Sequence, residues 1–193
     1  MTSTRRDFLR ASASALGGAW LTAQWPAILA AASAARTAQA AGAAFTHLDP
    51  DDARDLEGIA AQIIPTDDTP GAREAGVIYF IDAALGSFAA ARAGLLRDGL
   101  AALNAKVQSA HAPATRFAAL DDPTQEAVLK SEEKSPFFGE MRFLTLAGML
   151  SLPSYGGNRD EVGWKLIGFD HRHVWAPPFG YYDAQKGGHS GKS

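Results

Sequence analysis

The sequence predicts an all-α fold: a compact domain of about five helices, followed by an extended glycine- and aromatic-rich C-terminal segment. Three observations carry that expectation. Apolar residues recur at helical spacing in five successive segments. Proline stands just after an aspartate where two of those segments begin, and opens a third. No stretch alternates apolar and polar residues convincingly, although short β pieces after Gly163 stay open.

The first forty residues are read separately. Thr4-Arg5-Arg6-Asp7-Phe8-Leu9-Arg10 is a charged start with paired arginines, followed by an alanine-rich apolar run and then Ala38-Gln39-Ala40, an A-x-A cleavage form. The arrangement resembles a twin-arginine export signal, with Arg5, Arg6, Phe8 and Leu9 in the motif positions. A membrane anchor fits less well, because Ser12, Ser14, Thr22, Gln24 and Pro26 dilute the apolar stretch. Cleavage is expected near Ala40, with Ala34-Ala35 and Ala43-Ala44 as further small-residue positions. The expected organisation is a signal over 1–40, a helical domain over 41–182 and a polar tail over 183–193.

Helix one starts at Asp49-Pro50-Asp51-Asp52, an aspartate cap followed by proline and first-turn acids. Leu56, Ile59, Ala60, Ile63 and Ile64 form its apolar stripe, and Pro65 closes it. In the loop that follows, Asp67 and Asp68 are assigned to turn formation, because the ligand pattern of a calcium loop is missing. Helix two is expected over 75–90, with Ile78, Ile81, Leu85 and Phe88 inward. Asp82 has no histidine or second carboxylate at helical spacing and is read as an edge residue rather than a general base. Helix three, over 91–110, turns Leu95, Leu96, Leu100, Leu103 and Val107 inward, leaves Arg92, Arg97 and Lys106 solvated, and ends at His111. Helix four opens on Asp122-Pro123-Thr124-Gln125, with Asp122 as cap and Gln125 completing a capping box. Helix five, over 137–152, is apolar on most sides, which places it centrally or under a covering element.

Composition narrows the chemistry. The chain has no cysteine, which excludes disulfides, thiolate metal sites, iron–sulfur clusters and covalent c-type haem attachment. Loss of the leader removes Arg5, Arg6, Arg10 and Arg36 together with Asp7, so a formal charge of −3 becomes −6. A mildly acidic domain without a basic stripe does not suit nucleic acid. His171-Arg172-His173 suggests a pair of metal ligands but lacks the third and fourth partners of a zinc site. Ser154 has no G-x-S-x-G elbow, and Tyr155-Gly156-Gly157-Asn158 does not have dinucleotide spacing. No residue is assigned to catalysis, cofactor binding or metal binding.

One stretch stands apart: Pro153-Ser154-Tyr155-Gly156-Gly157-Asn158-Arg159, continuing to Gly163-Trp164-Lys165-Leu166-Ile167-Gly168-Phe169. Its rings either pack a loop onto the domain or meet a partner, and both readings stand on chemistry alone. Trp175, Phe179, Tyr181, Tyr182, Pro177 and Pro178 follow, a composition that favours contact with another protein.

Tyr155-Gly156-Gly157-Asn158-Arg159 with Gly163-Trp164-Lys165-Leu166-Ile167-Gly168 resembles the signature of the small (gamma) subunit of gluconate 2-dehydrogenase-type complexes. So do Ile63-Ile64-Pro65-Thr66-Asp67, the Asp68-Thr69-Pro70-Gly71-Ala72 loop, Ala75-Gly76-Val77 and the leader. The resemblance implies a non-catalytic subunit of a periplasmic, membrane-associated sugar, polyol or sugar-acid dehydrogenase. Its large partner would be an FAD-carrying flavoprotein of the glucose–methanol–choline type, and a multihaem cytochrome c subunit, with haem c, often accepts the electrons. The small subunit would help the flavoprotein mature and share its own export signal with it. Under this reading Tyr155, Asn158, Arg159, Trp164 and Lys165 form the interface or loop-fixing set, and Gly156, Gly157, Gly163 and Gly168 shape the backbone. Arg159 is expected to pair with a partner carboxylate or locally with Asp160 or Glu161. Two alternatives remain: a stand-alone metal enzyme using His171 and His173, and a purely structural subunit with no escort role.

Overall fold

The computed structural model describes residues 44–153 and 157–169, and Pro26 alone among the earlier ones. The described residues form six α-helices and no strand: α1 Pro50–Ile63, α2 Val77–Leu85, α3 Ala93–Ala110, α4 Asp122–Glu132, α5 Pro136–Leu150 and α6 Val162–Ile167. Single 3-10 turns precede α3, α4 and α6. The all-α expectation holds. The sixth helix lies where short β pieces were allowed for.

Helix starts follow local chemistry. Asp49 accepts the Asp51 and Asp52 N–H groups in front of Pro50. Those bonds, Asp52 first, hold its carboxyl below the usual range against the opposing effect of burial. Ser135 caps α5 by accepting from Phe138 N–H at 3.1 Å, with Pro136 in the first helical position. At α4 the cap is Asp121, not Asp122, with the Thr124 N–H at 3.0 Å. Gln125 completes no capping box there. It is buried, and its amide nitrogen donates to the Phe117 and Leu120 carbonyls while its oxygen accepts from Gln62. Tertiary partners take the side chain that a local rule assigns to the cap.

The second helix is shorter than its periodicity predicts. Gly76, at φ 69°, starts it, and Leu85 ends it before a turn and the 3-10 segment Ala90–Arg92. Leu95 is 37% exposed, so the inward face of α3 is Leu96, Leu100, Leu103 and Val107. Arg92 and Lys106 are not merely solvated, since they pair with Glu140 and Glu132.

Helix α5 sits at the centre and touches every other helix among the described residues. Met141, Leu144 and Met149 on it are fully buried, against Leu56 and Ile59 of α1 and Val77, Phe80 and Ile81 of α2 in one continuous core. Its apolar composition on most sides is the signature of that position. A buried polar knot joins α1 to the turn before α4. The Asp55 carboxylate accepts from Asn104 Nδ2 at 2.8 Å and Ala118 N–H at 2.9 Å, with Arg116 Nε at 3.2 Å. The Asn104 oxygen in turn accepts the Phe117 N–H. Among the described residues no single helix is long and apolar enough to cross a membrane.

Candidate partner-contact site

The glycine-rich stretch is built onto the last turn of α5. A helix leaves its final four carbonyls without intrahelical donors, and buried carbonyls need others. Trp164 supplies one, its indole N–H donating to the Leu150 carbonyl at 3.0 Å. Asn158 supplies the next, its amide nitrogen donating to the Ser151 carbonyl at 2.9 Å. The Ser151 hydroxyl reaches back to the Gly148 carbonyl at 3.2 Å. Asn158 is fully buried and also accepts the Gly163 N–H at 2.7 Å, so one side chain caps α5 and fixes the entry to α6.

Backbone packing is close enough to exclude side chains. A Cβ at Gly157 would overlap the Gly148 carbonyl oxygen, and one at Gly163 would overlap that of Met149. Gly168 ends α6 at φ 68°, its N–H on the Lys165 carbonyl. Between them Asn158, Asp160 and Glu161 adopt positive φ without being glycine. Such residues cost free energy and persist where the surroundings over-determine them. Here the Asn158 bonds and the α5 contact do so.

Trp164 is only 7% exposed, with the Phe169 ring edge-on at 5.2 Å. It packs inward, the loop-fixing half of the expectation. Arg159 and Lys165 are exposed. Of the partners expected for Arg159, the local ones, Asp160 and Glu161, do not receive its Nε. Its Nε donates to the Glu74 carbonyl at 2.9 Å and its backbone N–H reaches the Ala75 carbonyl at 3.2 Å. Lys165 Nζ donates to the Asp160 carbonyl at 2.7 Å. Tyr155, Gly156 and Ser154 lie outside the described residues, as do Arg5, Arg6, Phe8, Leu9, His171, His173 and the aromatic segment over 175–182.

Arg159 thereby draws the stretch toward the loop before α2, which is ordered from within. Asp67 Oδ1 accepts both the N–H and the hydroxyl of Thr69 at 2.9 Å, a turn-forming role. Glu74 accepts the Thr66 hydroxyl at 2.7 Å and the Gly71 N–H at 2.8 Å. The Thr66 bond is the chief reason its carboxyl lies below the usual range. Between this loop and α6 runs an open cleft of about 630 Å³, lined by Thr69, Pro70, Arg159, Val162, Lys165 and Leu166 among others. Phe169, 43% exposed, stands at the end of the described stretch. Glu74 and Asp160 also line the cleft, so its wall is of mixed charge around Pro70, Val162 and Leu166.

Two carboxylates escaped the sequence reading. Asp82 is buried, not an edge residue, and accepts three backbone N–H groups from the segment before α1. Asp55 was passed over entirely. Both lie at helical spacing from core residues, Ile78 and Leu85 in one case and Ile59 in the other, and that spacing was the available signal. Among the described residues no group of three or more histidines and carboxylates could hold a metal ion.

A family model described as gluconate 2-dehydrogenase subunit 3 matches residues 50–170. No curated protein and no solved structure matches the chain significantly.

Proposed function

The chain belongs to the gluconate 2-dehydrogenase subunit 3 family, and from that premise we propose that it is the non-catalytic small subunit of a periplasmic FAD-dependent dehydrogenase complex. The catalytic partner is a flavoprotein of the glucose–methanol–choline type acting on a sugar, polyol or sugar acid. FAD resides in that partner, and where the complex includes a multihaem cytochrome c subunit, that subunit carries haem c and passes the electrons on. This chain supports maturation of the flavoprotein and carries it through the twin-arginine route, which moves proteins already folded. Membrane association comes through the complex.

The observation that carries the reading is the conjunction of a dehydrogenase-subunit family match over 50–170 with the Arg5-Arg6 leader on the same chain. The site geometry fits it. Asn158, Trp164, Gly157 and Gly163 are spent on joining α6 to α5, which holds the exposed Arg159 and Lys165 beside an open cleft.

The test replaces Arg5 and Arg6 by lysine in cells that make the whole complex. Both this chain and its flavoprotein are then expected to stay in the cytoplasm, and the wild-type pair to co-purify from periplasm with flavin absorbance. Normal export of the flavoprotein beside the lysine variant overturns the escort role.

A further inference from the structure

Two cations of the cleft beside α6 carry charge that no carboxylate of the described body meets. Arg54, Arg73, Arg92, Arg97 and Arg116 each pair with a carboxylate, as do Lys106 and Lys130. Arg159 and Lys165 form no ion pair among the described residues, although Glu74 and Asp160 line the same cleft. Each is anchored by a carbonyl instead: Arg159 Nε on that of Glu74 at 2.9 Å, and Lys165 Nζ on that of Asp160 at 2.7 Å. A neutral carbonyl fixes a cation in place and leaves its net charge in force. The carbonyl that holds Lys165 belongs to a run of positive φ, 49° at Asn158, 56° at Asp160 and 60° at Glu161. Backbone strain of that kind gathers at ligand clamps.

The rest of the cleft narrows what these cations can receive. Neither terminal nitrogen of Arg159 bonds to a described residue, which leaves the fork that takes a carboxylate through two parallel bonds. Pro70, Val162 and Leu166 supply apolar wall around it. Glu74 is already held, its Oε2 accepting the Thr66 hydroxyl and the Gly71 N–H. Its charge and that of Asp160 oppose a second anion, so an acidic run is disfavoured and a single carboxylate fits. We propose that the cleft receives one aspartate or glutamate side chain of the catalytic flavoprotein, flanked by apolar residues, with Arg159 as the fork and Lys165 as the second cation. The proposal rests on the reading of this chain as a small subunit.

A zero-length carbodiimide, which joins an amine to a carboxylate within ion-pair reach, tests this on the complex purified from cells that make it whole. Mass spectrometry of the digest is expected to find Lys165 linked to a flavoprotein aspartate or glutamate between apolar neighbours. Lys165→Arg keeps the charge without the amine, so the link is expected to vanish while flavoprotein recovery stays within about twofold. Arg159→Gln removes the fork and is expected to lower recovery about tenfold at an unchanged melting temperature. Replacing the linked flavoprotein carboxylate by lysine is expected to lower recovery with the wild-type chain, and Lys165→Glu to restore it. A co-purifying flavoprotein with Lys165 unlinked, or linked only within or between copies of this chain, overturns the proposal and leaves the subunit reading standing. A link into an acidic run, or a charge swap that restores nothing, overturns it as well. Absence of any flavoprotein beside the wild-type chain overturns the subunit reading and the proposal together.

Discussion

The Asn158 carboxamide accepts the Gly163 N–H at 2.7 Å while its nitrogen holds the Ser151 carbonyl at 2.9 Å, with no part of the residue exposed. Replacement by alanine leaves a buried donor and acceptor unmet and puts alanine at φ 49°. The expected loss is about 2–4 kcal/mol in urea unfolding. Asn158→Asp keeps the acceptor but turns an oxygen toward the Ser151 carbonyl, so it is expected to rescue little. An alanine variant as stable as wild type would contradict the capping role.

Two glycines of the chain allow a direct comparison. Gly163→Ala places a methyl on the Met149 carbonyl and is expected to cost on the order of 3 kcal/mol, with loss of α6 contacts. Gly139→Ala, inside α5 with nothing within 4 Å of the new Cβ, is expected to raise stability by about 0.5–1 kcal/mol. Thermal unfolding of the two variants side by side checks both signs.

Asp55 accepts from Asn104 and Ala118 and is the buried ion-pair partner of Arg116. Asp55→Ala leaves the other groups without it, and a loss of about 3–5 kcal/mol is expected. Glu57→Ala removes the surface pair with Arg73 and is expected to change stability by less than about 0.5 kcal/mol. Equal effects would mean that the buried knot is dispensable.

These groups show where a single chain of letters is informative. Helix starts at Asp49 and Ser135 were set by residues within four positions, and the central place of α5 by its own composition. Both are local properties. Asp82 and Gln125 went astray because their partners, Thr46 to Leu48 and Phe117 with Gln62, are fixed only once helices have packed. In the glycine-rich stretch, Gly163 and Trp164 stood out as unusual residues. Their task of meeting the end of α5 depends on a chain reversal that no spacing encodes.

Acid should loosen the loop before α2. Glu74 has a folded-state carboxyl held low, chiefly by the Thr66 hydroxyl. A depressed value contributes stability that is present above the unfolded carboxyl's pKa of about 4.3 and is lost as pH falls through the folded value. Glu74→Gln is therefore expected to melt below wild type at neutral pH, with the gap closing in acid. Melting curves from pH 7 down to pH 3 measure this, and a constant gap would rule out the linkage.

Lys165, exposed at the cleft with its Nζ on the Asp160 carbonyl, provides a test of contact separate from folding. Lys165→Glu is expected to leave the melting temperature unchanged and to lower flavoprotein recovered in co-purification by about tenfold or more. Lys134→Glu, on the turn between α4 and α5, serves as the matched surface control and is expected to recover the partner normally.

The central position of α5 also orders the way the molecule comes apart. A helix in contact with all five others can lose its amide protection only when the domain opens as a whole. Its α6 neighbour is joined chiefly through the carbonyls of one helical turn and the side chains of Asn158 and Trp164. In deuterated water the α6 amides would exchange in an early, sub-global opening and those of Met141 to Leu146 last. The cleft wall carrying Lys165 would come away in that opening, and whatever binds across the cleft would hold it down.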